Sequence, residues 1–366
     1  MGNEVELKLA VTPKFADLLH QELTNFRILA HNTIFLANTY YDTADRVLAK
    51  HKMGLRVRQE NQQYTLTLKT DGEVHGGLHI RPEYNVTLPD AQLNISLLVE
   101  KYALTLPNYA QWELKPVFST DFERESWLIE CGNGTHIEVA FDQGKIVAGE
   151  KQTPICEVEF ELKSGLPIDL LRFVQTLTLE NEIRLSSASK AKRGYLLANP
   201  TSMTVTNWLE KWREFLQFTQ NTTSALAKLR ALFRLEQDLI EETFAIGADY
   251  FAADFLRTVE RIGEFFNLYH YYVEQATLLD RALNQQVGEE NLACQQVGEE
   301  NLACEQTYLL DLLDSHHSLL QQVRELIRLH SESQDNRLVL DKLLGLLQTG
   351  HYVKRMIHLT FLTLSN

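Results

Sequence analysis

Acidic side chains lie two residues apart in two short segments that are otherwise apolar. The first segment is Glu4-Val5-Glu6-Leu7-Lys8, and the second is Glu157-Val158-Glu159-Phe160-Glu161. In a β-strand, residues two apart point to the same side, so each segment predicts one acidic face and one apolar face. Clustered carboxylate oxygens are the ligands that Mg²⁺ and Mn²⁺ prefer. The two segments are therefore candidates for a divalent metal site.

Basic side chains show the same spacing in other segments. Leu55-Arg56-Val57-Arg58 places two arginines on one face, Thr65-Leu66-Thr67-Leu68-Lys69 places one lysine, and Arg81 and Glu83 lie two apart. Arginine and lysine are the side chains that bind phosphate oxygens.

Each of these strands, taken alone, fits a solvated outer face of a sheet. Taken together they favour another arrangement, because like charges at this spacing repel and need counter-charges. A closed barrel with its charged faces inward would bring acidic and basic faces together. Such an interior would suit a metal-bound polyphosphate, with metals and guanidinium groups stabilising the charge that shifts during phosphoryl transfer.

The elements that must position these residues differ between two halves of the chain. All eight prolines lie between Pro13 and Pro200, and eleven of the 17 glycines lie in the first 200 residues. Residues 1–200 carry a net charge of −5 and the remainder carries −9. We therefore predict two domains, residues 1–200 and 201–366, with a boundary near Pro200.

The first half predicts short strands separated by turns such as Asp71-Gly72 and Gly76-Gly77. The predicted strands are Val5–Val11, Ile34–Tyr41, Leu55–Gln59, Tyr64–Lys69, Leu78–Leu88, Glu113–Thr120, Ser126–Cys131, His136–Asp142 and Cys156–Lys163. Helices are predicted at Pro13–Asn25, Ala91–Tyr102 and Pro167–Thr178. The spacing favours a mostly antiparallel sheet that could close into a barrel.

The second half predicts a helical bundle, because its apolar residues recur at intervals of three and four. The predicted helices are Trp208–Phe218, Thr223–Phe244, Phe251–Leu283, Glu305–His330 and Leu338–Leu364. A ten-residue segment, Gln285–Cys294, is repeated without change as Gln295–Cys304. The repeat is too short for a solenoid, so we expect an interhelical connection there and assign it no function.

Composition excludes several classes of protein. The net charge of the 366 residues is −14 and the sequence pI is near 5.4, which argues against nucleic-acid binding and against docking on an anionic membrane. No apolar run is long enough to span a bilayer and no signal peptide is recognised, so we expect a cytoplasmic protein. The four cysteines show no C-x-x-C pair and predict neither a disulfide framework nor a structural zinc site. No Gly-rich phosphate loop occurs, which excludes a P-loop mechanism.

Further segments, in order along residues 1–200, complete a pattern with the two acidic strands. They are Tyr40-Tyr41-Asp42-Thr43, Gly54-Leu55-Arg56-Val57-Arg58, Leu68-Lys69, Asp121-Phe122-Glu123-Arg124, Phe141-Asp142-Gln143-Gly144 and Ser189-Lys190-Ala191-Lys192-Arg193-Gly194-Tyr195. This ordered set resembles the CYTH family, the triphosphate tunnel metalloenzymes. The resemblance implies an eight-stranded antiparallel β-barrel around a polar tunnel. The predicted fold class is therefore α+β, with the barrel followed by an all-α helical bundle.

The resemblance also implies roles for individual residues. One or two divalent metals, Mg²⁺ or Mn²⁺, would be held by Glu4, Glu6, Glu157 and Glu159, with Glu161 near them. The phosphates would be bound by Lys8, Arg56, Arg58, Lys69, Arg124, Lys190 and Arg193. We expect Lys8, Glu83 and Asp142 to be catalytic, the two carboxylates by tuning the charge of the tunnel or orienting the attacking water.

The helical half resembles a CHAD domain, which commonly follows CYTH in bacteria. CHAD domains that bind polyphosphate tend to carry a basic helix headed by histidine. The nearest segment here, Lys228–Arg234, has no histidine before it, and the half is acidic. We therefore expect a degenerate CHAD domain with a structural or partner-binding role, the protein partner being unknown.

A CYTH domain followed by CHAD resembles bacterial inorganic triphosphatases. The implied activity is hydrolysis of a small anionic substrate, tripolyphosphate, to pyrophosphate and phosphate, with water as the nucleophile. Three alternatives stay open: hydrolysis of thiamine triphosphate or a nucleoside triphosphate, a class IV adenylyl cyclase, and a non-catalytic polyphosphate-binding module. The cyclase is disfavoured because no His-Phe pair precedes Glu4, and the binding module is disfavoured by the metal-binding carboxylates.

Overall fold

The structure, a computed structural model, describes residues 3–199, 205–279, 281–282 and 299–364. The chain divides into two compact units. The barrel unit comprises Met1–Thr178 and Leu185–Met203, and the helical unit comprises Leu179–Arg184 and Thr204–Asn366. The short segment Leu179–Arg184 therefore belongs to the helical unit although it lies on the N-terminal side of residue 200.

Eight antiparallel strands form a closed barrel in the first unit. Their order around the barrel is β1-β9-β8-β7-β2-β3-β4-β6, and β6 pairs with β1 to close the ring. Two short strands, β5 and β10, lie outside this ring. The strands are β1 (Asn3–Ala10), β2 (Arg27–Asp42), β3 (Gly54–Glu60), β4 (Gln63–Lys69), β5 (Glu73–His75), β6 (Leu78–Leu88), β7 (Lys115–Glu130), β8 (His136–Ala148), β9 (Lys151–Ser164) and β10 (Arg184–Leu185).

The predicted fold class, an eight-stranded antiparallel barrel followed by helices, is confirmed, but one strand assignment is wrong. Sequence patterning predicts separate strands at Glu113–Thr120 and Ser126–Cys131, whereas β7 runs without a break through both. Residues Asp121–Glu125 stay in the ladder because β2 and β8 pair with them on both sides. The continuous strand was not predicted because the charged residues interrupt the alternation of apolar side chains there.

The barrel wall has an apolar outer face. On β3 and β4, Leu55, Val57, Leu66 and Leu68 are buried in a cluster that also contains Leu98 of a covering helix. Because residues two apart share a face, the intervening Arg56 and Arg58 must point to the interior. The main apolar packing of these strands therefore lies outside the barrel, and charged side chains are left to fill part of the inside.

Five helices accompany the strands in this unit. They are α1 (Lys14–Leu23), α2 (Val47–Lys50), α3 (Ser96–Tyr102), α4 (Pro167–Thr176) and α5 (Lys190–Ala198). The α3 helix covers β3 and β4, and Phe173 of α4 packs its ring against Phe160 of β9. The sequence did not predict α5, a nine-residue helix that begins after Ser189, whose hydroxyl caps it by accepting a hydrogen bond from the Lys192 amide.

Helices make up the second unit. They are α6 (Trp208–Asn221), α7 (Ala225–Ile246), α8 (Ala248–Ala252), α9 (Phe255–Glu274), α10 (Glu299–Ser333), α11 (Asn336–Leu347) and α12 (Gly350–Thr363). Two of the predicted long helices are each divided. Asp254 caps α9 and Thr349 caps α12, each accepting a hydrogen bond from the backbone amide three residues further on.

A buried ion pair lies at the centre of this unit. Arg355 of α12 donates to Glu236 of α7 over 2.6 and 3.2 Å. The hydroxyls of Tyr272 and Tyr352 donate to the same carboxylate, and Tyr269 hydrogen-bonds to Tyr352. All five side chains are buried. This network satisfies a charge pair that would otherwise be costly to bury.

Within the described residues, no helix is both long and apolar enough to cross a bilayer. Cys131 and Cys156 are half-buried free thiols. Most of the repeated segment lies outside the described residues; the part that is described, residues 299–304, belongs to α10.

Gly194 is a position where α5 touches the barrel interior. A Cβ atom there would lie about 2.2 Å from the Phe118 ring. We expect Gly194→Ala to lower the free energy of unfolding of the barrel unit by about 1–3 kcal/mol, because the ring or α5 must move. Urea unfolding followed by fluorescence measures this, since Trp112 and Trp127 belong to the barrel unit.

The matched control is Gly345→Ala in α11, where a Cβ atom would meet nothing within 4 Å among the described residues. This change should be neutral or stabilising, because alanine favours a helix by up to about 1 kcal/mol over glycine. Equal unfolding curves for Gly194→Ala and the wild type would show that α5 does not depend on this contact.

Candidate metal and phosphate site

Strand register brings the charged residues of β1, β8 and β9 together inside the barrel. Glu159 of β9 lies directly opposite Lys8 of β1, and Glu157 of β9 lies directly opposite Asp142 of β8. These residues share the face that points away from the buried Val158 and Phe160. Three neighbouring strands thus contribute carboxylates and an ammonium group to one place.

Asp142, Glu157 and Glu159 form a carboxylate triad. One oxygen from each side chain lies within 4.8 Å of the other two. Asp142 and Glu157 are fully buried, and Glu159 is about 12% exposed. Three hard oxygen ligands at this separation fit a divalent cation such as Mg²⁺ or Mn²⁺, which both take carboxylate ligands. The donor set is therefore suited to a metal ion.

Lys190 binds all three members of the triad. Its Nζ atom lies 2.6 Å from Asp142 and 3.0 Å from Glu159, and it also donates to Glu157. The lysine is the first residue of α5, and its side chain is buried. The capped start of α5 thus places one ammonium group among three carboxylates.

Two more cations enclose the same carboxylates. The Nζ atom of Lys8 lies 2.7 Å from Glu159. The guanidinium of Arg124 on β7 donates two hydrogen bonds of 2.7 Å to Asp142 and one of 2.5 Å to Glu159. Burial alone would raise the pKa of Glu159, but the charges of Lys190, Lys8 and Arg124 hold that pKa well below its usual range. The carboxylate is therefore ionised at neutral pH.

A second group of charges surrounds Glu4 and Glu6 on β1. Lys69 of β4 donates to Glu4 over 2.5 and 2.6 Å and lies 2.7 Å from Glu83 of β6. Arg81 of β6 donates to Glu6 over 2.6 Å. Burial raises the pKa of Glu4 to about 7, with Lys69 opposing the shift and Glu6 and Glu83 adding to it. Glu4 is thus the carboxylate of this group that gains a proton most readily.

The two arginines of β3 differ from the other cations of the site. Among the described residues, neither Arg56 nor Arg58 has a carboxylate within 4.0 Å. Arg56 donates to the Tyr40 hydroxyl at 3.3 Å, and Arg58 donates to the Asn38 side chain at 2.9 Å. Burial, together with the charges of Arg56 and Arg124, lowers the pKa of Arg58 to about 9. An anion placed here would relieve that destabilisation.

Basic side chains from several elements meet the carboxylates of this region although the chain is acidic. The cations are Lys8, Arg56, Arg58, Lys69, Arg81, Arg124, Lys190 and Arg193, and the carboxylates described above are Glu4, Glu6, Glu83, Asp142, Glu157 and Glu159. Because lysine and arginine bind phosphate oxygens, a polyanion is the kind of ligand that these cations favour.

The structure brings together most of the residues predicted from the sequence. Asp142, predicted as a charge-tuning residue, lies in the triad with Glu157 and Glu159. Arg193 of α5 reaches Glu157 at 3.0 Å. Glu161 differs, because its carboxylate lies 2.8 Å from Lys163 and is about 27% exposed. The roles expected for these residues, including that of Glu161 near a metal, stay predictions.

Two residues of β6 were missed as members of the site. Arg81 binds Glu6, and His79 lies directly opposite Glu6 with its side chain buried. Burial lowers the pKa of His79 to about 3, so its imidazole is neutral. The spacing of Arg81 and Glu83 carried the signal for the arginine, since residues two apart share a face. His79 lies two residues before Arg81, so the same spacing places it on this face.

Comparison with solved structures gives low-scoring matches to about half of the chain. A putative adenylyl cyclase from Hippeastrum, described as having a dominant triphosphatase activity, is 18% identical, with a TM-score of 0.39; the match covers 55% of this chain and 97% of that one. A protein from Pyrococcus horikoshii is 17% identical, with a TM-score of 0.34, over 55% of this chain and 99% of that one.

Comparison of sequences gives stronger results. The CYTH domain model matches residues 2–195, which is more than half of the chain. A curated protein from Haemophilus influenzae, named inorganic triphosphatase, is 46% identical over 98% of this chain and 97% of its own length. The match to that protein extends through the helical unit as well as the barrel. The chain belongs to the CYTH family.

Proposed function

We propose that this protein hydrolyses inorganic tripolyphosphate to pyrophosphate and phosphate inside the barrel, with Mg²⁺ or Mn²⁺ as cofactor. The observation that carries the proposal is the buried triad Asp142, Glu157 and Glu159, enclosed by cations. Carboxylates suit a divalent metal, and lysine and arginine suit phosphate oxygens. The 46% identity to a protein named inorganic triphosphatase supports the same substrate.

The cations of the barrel would bind and orient the substrate. Arg56 and Arg58, which have no carboxylate within 4.0 Å among the described residues, could donate hydrogen bonds to phosphate oxygens first. Arg124, with its planar fork, suits two oxygens of one phosphate group. Fixed positive charges around the reacting phosphate stabilise the transition state, because they need not reorganise as charge shifts. Lys8, Lys69, Lys190 and Arg193 would complete this phosphate-binding set.

The carboxylates would hold the metal and position water. Asp142, Glu157 and Glu159 are the ligands proposed for one ion, with Glu4 and Glu6 as candidates for a second. A bound divalent ion would neutralise phosphate charge and polarise the bond that breaks. Glu83 lies beside Lys69 and keeps its negative charge, because Lys69 and Arg56 hold its pKa below the usual range despite burial. It could therefore accept a hydrogen bond from an attacking water.

Phosphate release should depend on the triad and on the inorganic substrate. We expect one phosphate per tripolyphosphate with Mg²⁺ or Mn²⁺, and little turnover of ATP, thiamine triphosphate or pyrophosphate. Glu159→Gln should lower kcat/KM for tripolyphosphate about 100-fold or more, because it removes a metal ligand and the partner of three cations. Phosphate release under initial-rate conditions measures both.

Glu123→Gln is the matched control, since Glu123 is an exposed residue of β7 whose substitution should leave the rate within about twofold of the wild type. Faster cleavage of an organic triphosphate would change the substrate but keep the site. Binding of tripolyphosphate without cleavage under either metal would contradict hydrolysis and favour a binding module.

Metal affinity should depend on pH through Glu4. Its pKa of about 7 means that it is protonated at pH 6 and ionised at pH 8. Because a metal ligand must be deprotonated, Mn²⁺ affinity should rise by up to about tenfold per pH unit below pH 7 and level off above it. Calorimetric titration with Mn²⁺ between pH 6 and 8, without phosphate, measures this.

Glu4→Gln should flatten that pH profile while Glu123→Gln should leave it unchanged, because the Glu123 side chain is exposed on β7. A profile that stays steep in Glu4→Gln would assign the proton to another group and remove Glu4 from the proposed metal ligands.

A further inference from the structure

The side chain of Lys190 lies where a metal ion bound to the triad would lie. Its Nζ atom contacts Asp142 at 2.6 Å, Glu159 at 3.0 Å, and Glu157. These are the same three carboxylates whose oxygens lie within 4.8 Å of one another. An ammonium group and a divalent ion cannot both occupy the centre of so small a cluster, since like charges repel. Metal binding therefore requires Lys190 to leave.

Lys190 cannot leave the triad without a new partner. The lysine is about 5% exposed, so withdrawing its ammonium group into the barrel interior without an anion would leave a buried and unpaired charge. The triad has the same constraint, because removing its cation would leave Asp142 and Glu157 buried with less compensation. A metal that binds alone neutralises the carboxylates but leaves the Lys190 ammonium group without a counter-charge. A phosphate that binds alone neutralises the ammonium group but leaves the carboxylates without one.

We propose that Lys190 is an internal counter-ion of the triad, and that metal and triphosphate bind by one coupled exchange in which the phosphate draws Lys190 away and the metal takes its place. This inference rests on the proposed function of the barrel. It makes Lys190 a positioning residue that keeps the triad from binding a metal until phosphate is present. By linkage, the metal raises the affinity for phosphate by the same factor.

The side chain of Lys190 has the freedom that the exchange needs. Its Cα atom is fixed on α5, whose start is capped by Ser189. The four-carbon stem of lysine lets the Nζ atom move by several ångströms while the helix stays in place. Arg124 has less freedom, because its guanidinium already makes two hydrogen bonds to Asp142 and one to Glu159.

The two arginines of β3 give the phosphate a first place to bind. Among the described residues, Arg56 and Arg58 have no carboxylate within 4.0 Å, so an anion can bind them without breaking an ion pair. Further phosphate groups of the same molecule can then compete for Lys190. A chain of linked phosphates suits this sequence better than a single phosphate, because one bound group raises the effective concentration of the next.

Mn²⁺ binding to the full chain without phosphate tests the exchange. We expect Lys190→Met to bind Mn²⁺ at least tenfold more tightly than the wild type in calorimetric titrations, because the competing ammonium is gone. Lys192→Met is the matched control: it removes the same charge from the same helix at an exposed position, and its Mn²⁺ affinity should equal that of the wild type. Equal or weaker Mn²⁺ binding by Lys190→Met would overturn the proposal.

A measurement on the wild type keeps the test independent of how Lys190→Met folds. The probe is diimidotriphosphate, in which both bridging oxygens are replaced by NH. We expect the wild type to bind Mn²⁺ at least tenfold more tightly with the probe saturating than without it, after correction for Mn²⁺ binding to the probe in buffer. Equal Mn²⁺ affinity in the two conditions would overturn the exchange.

Failure of the exchange and failure of the proposed function give different results. If tripolyphosphate is hydrolysed but Mn²⁺ binds equally well with and without the probe, the function stands and the exchange is wrong. If the coupling is present but no triphosphate is cleaved, the exchange stands and the hydrolase assignment is wrong.

Discussion

The cost of burying charge is the constraint on which the barrel depends. An unpaired carboxylate or ammonium group inside a protein is unfavourable by several kcal/mol, so each one needs a partner of opposite sign. Here the partners come from different strands: Glu159 faces Lys8 and Arg124, and Glu4 faces Lys69. Because these pairs join separate strands, the charges act as cross-links between strands as well as a binding site.

The arrangement of the apolar residues follows from the same constraint. With charges inside, the buried apolar face of β3 and β4 lies outside the barrel and is covered by α3. Inside, an apolar cluster forms around Phe118 and Phe122, and α5 packs against it. The helix that closes this cluster also carries Lys190 and Arg193. The packing of α5 therefore also places these two cations in the site. Gly194 allows α5 to approach Phe118 closely.

The helical unit shows a different solution to burying charge. Glu236 is bound by Arg355 and by two tyrosine hydroxyls, so its oxygens are fully satisfied by groups that carry no spare positive charge. The triad of the barrel is satisfied by cations that also suit phosphate. The first network is suited to holding helices in register, and the second is suited to exchange with a ligand. The carboxylates of both networks are buried, so burial does not distinguish a structural network from a ligand-binding one. The groups that pair with the carboxylates do.

The sequence by itself determined the strands that carry the chemistry and the sign of their faces. Alternation fixes which side chains share a face, so Glu4, Glu6, Glu157 and Glu159 on one side and Arg56 and Arg58 on another could be grouped from spacing alone. The ordered motifs also indicated the family and the closed barrel. Alternation does not predict the ends of a strand where charged residues interrupt it, as in β7.

Only the tertiary structure decided which residues meet across the barrel. Strand register placed Asp142 opposite Glu157 in the triad and Glu161 opposite Glu6 and Glu138, a distinction that identical spacing along the strands cannot make. The position of Lys190 depends on how α5 packs on the barrel, and α5 has no strong pattern of its own. The pairing of strands and the packing of a short helix depend on contacts between residues that are far apart in the sequence. Local periodicity therefore does not predict them.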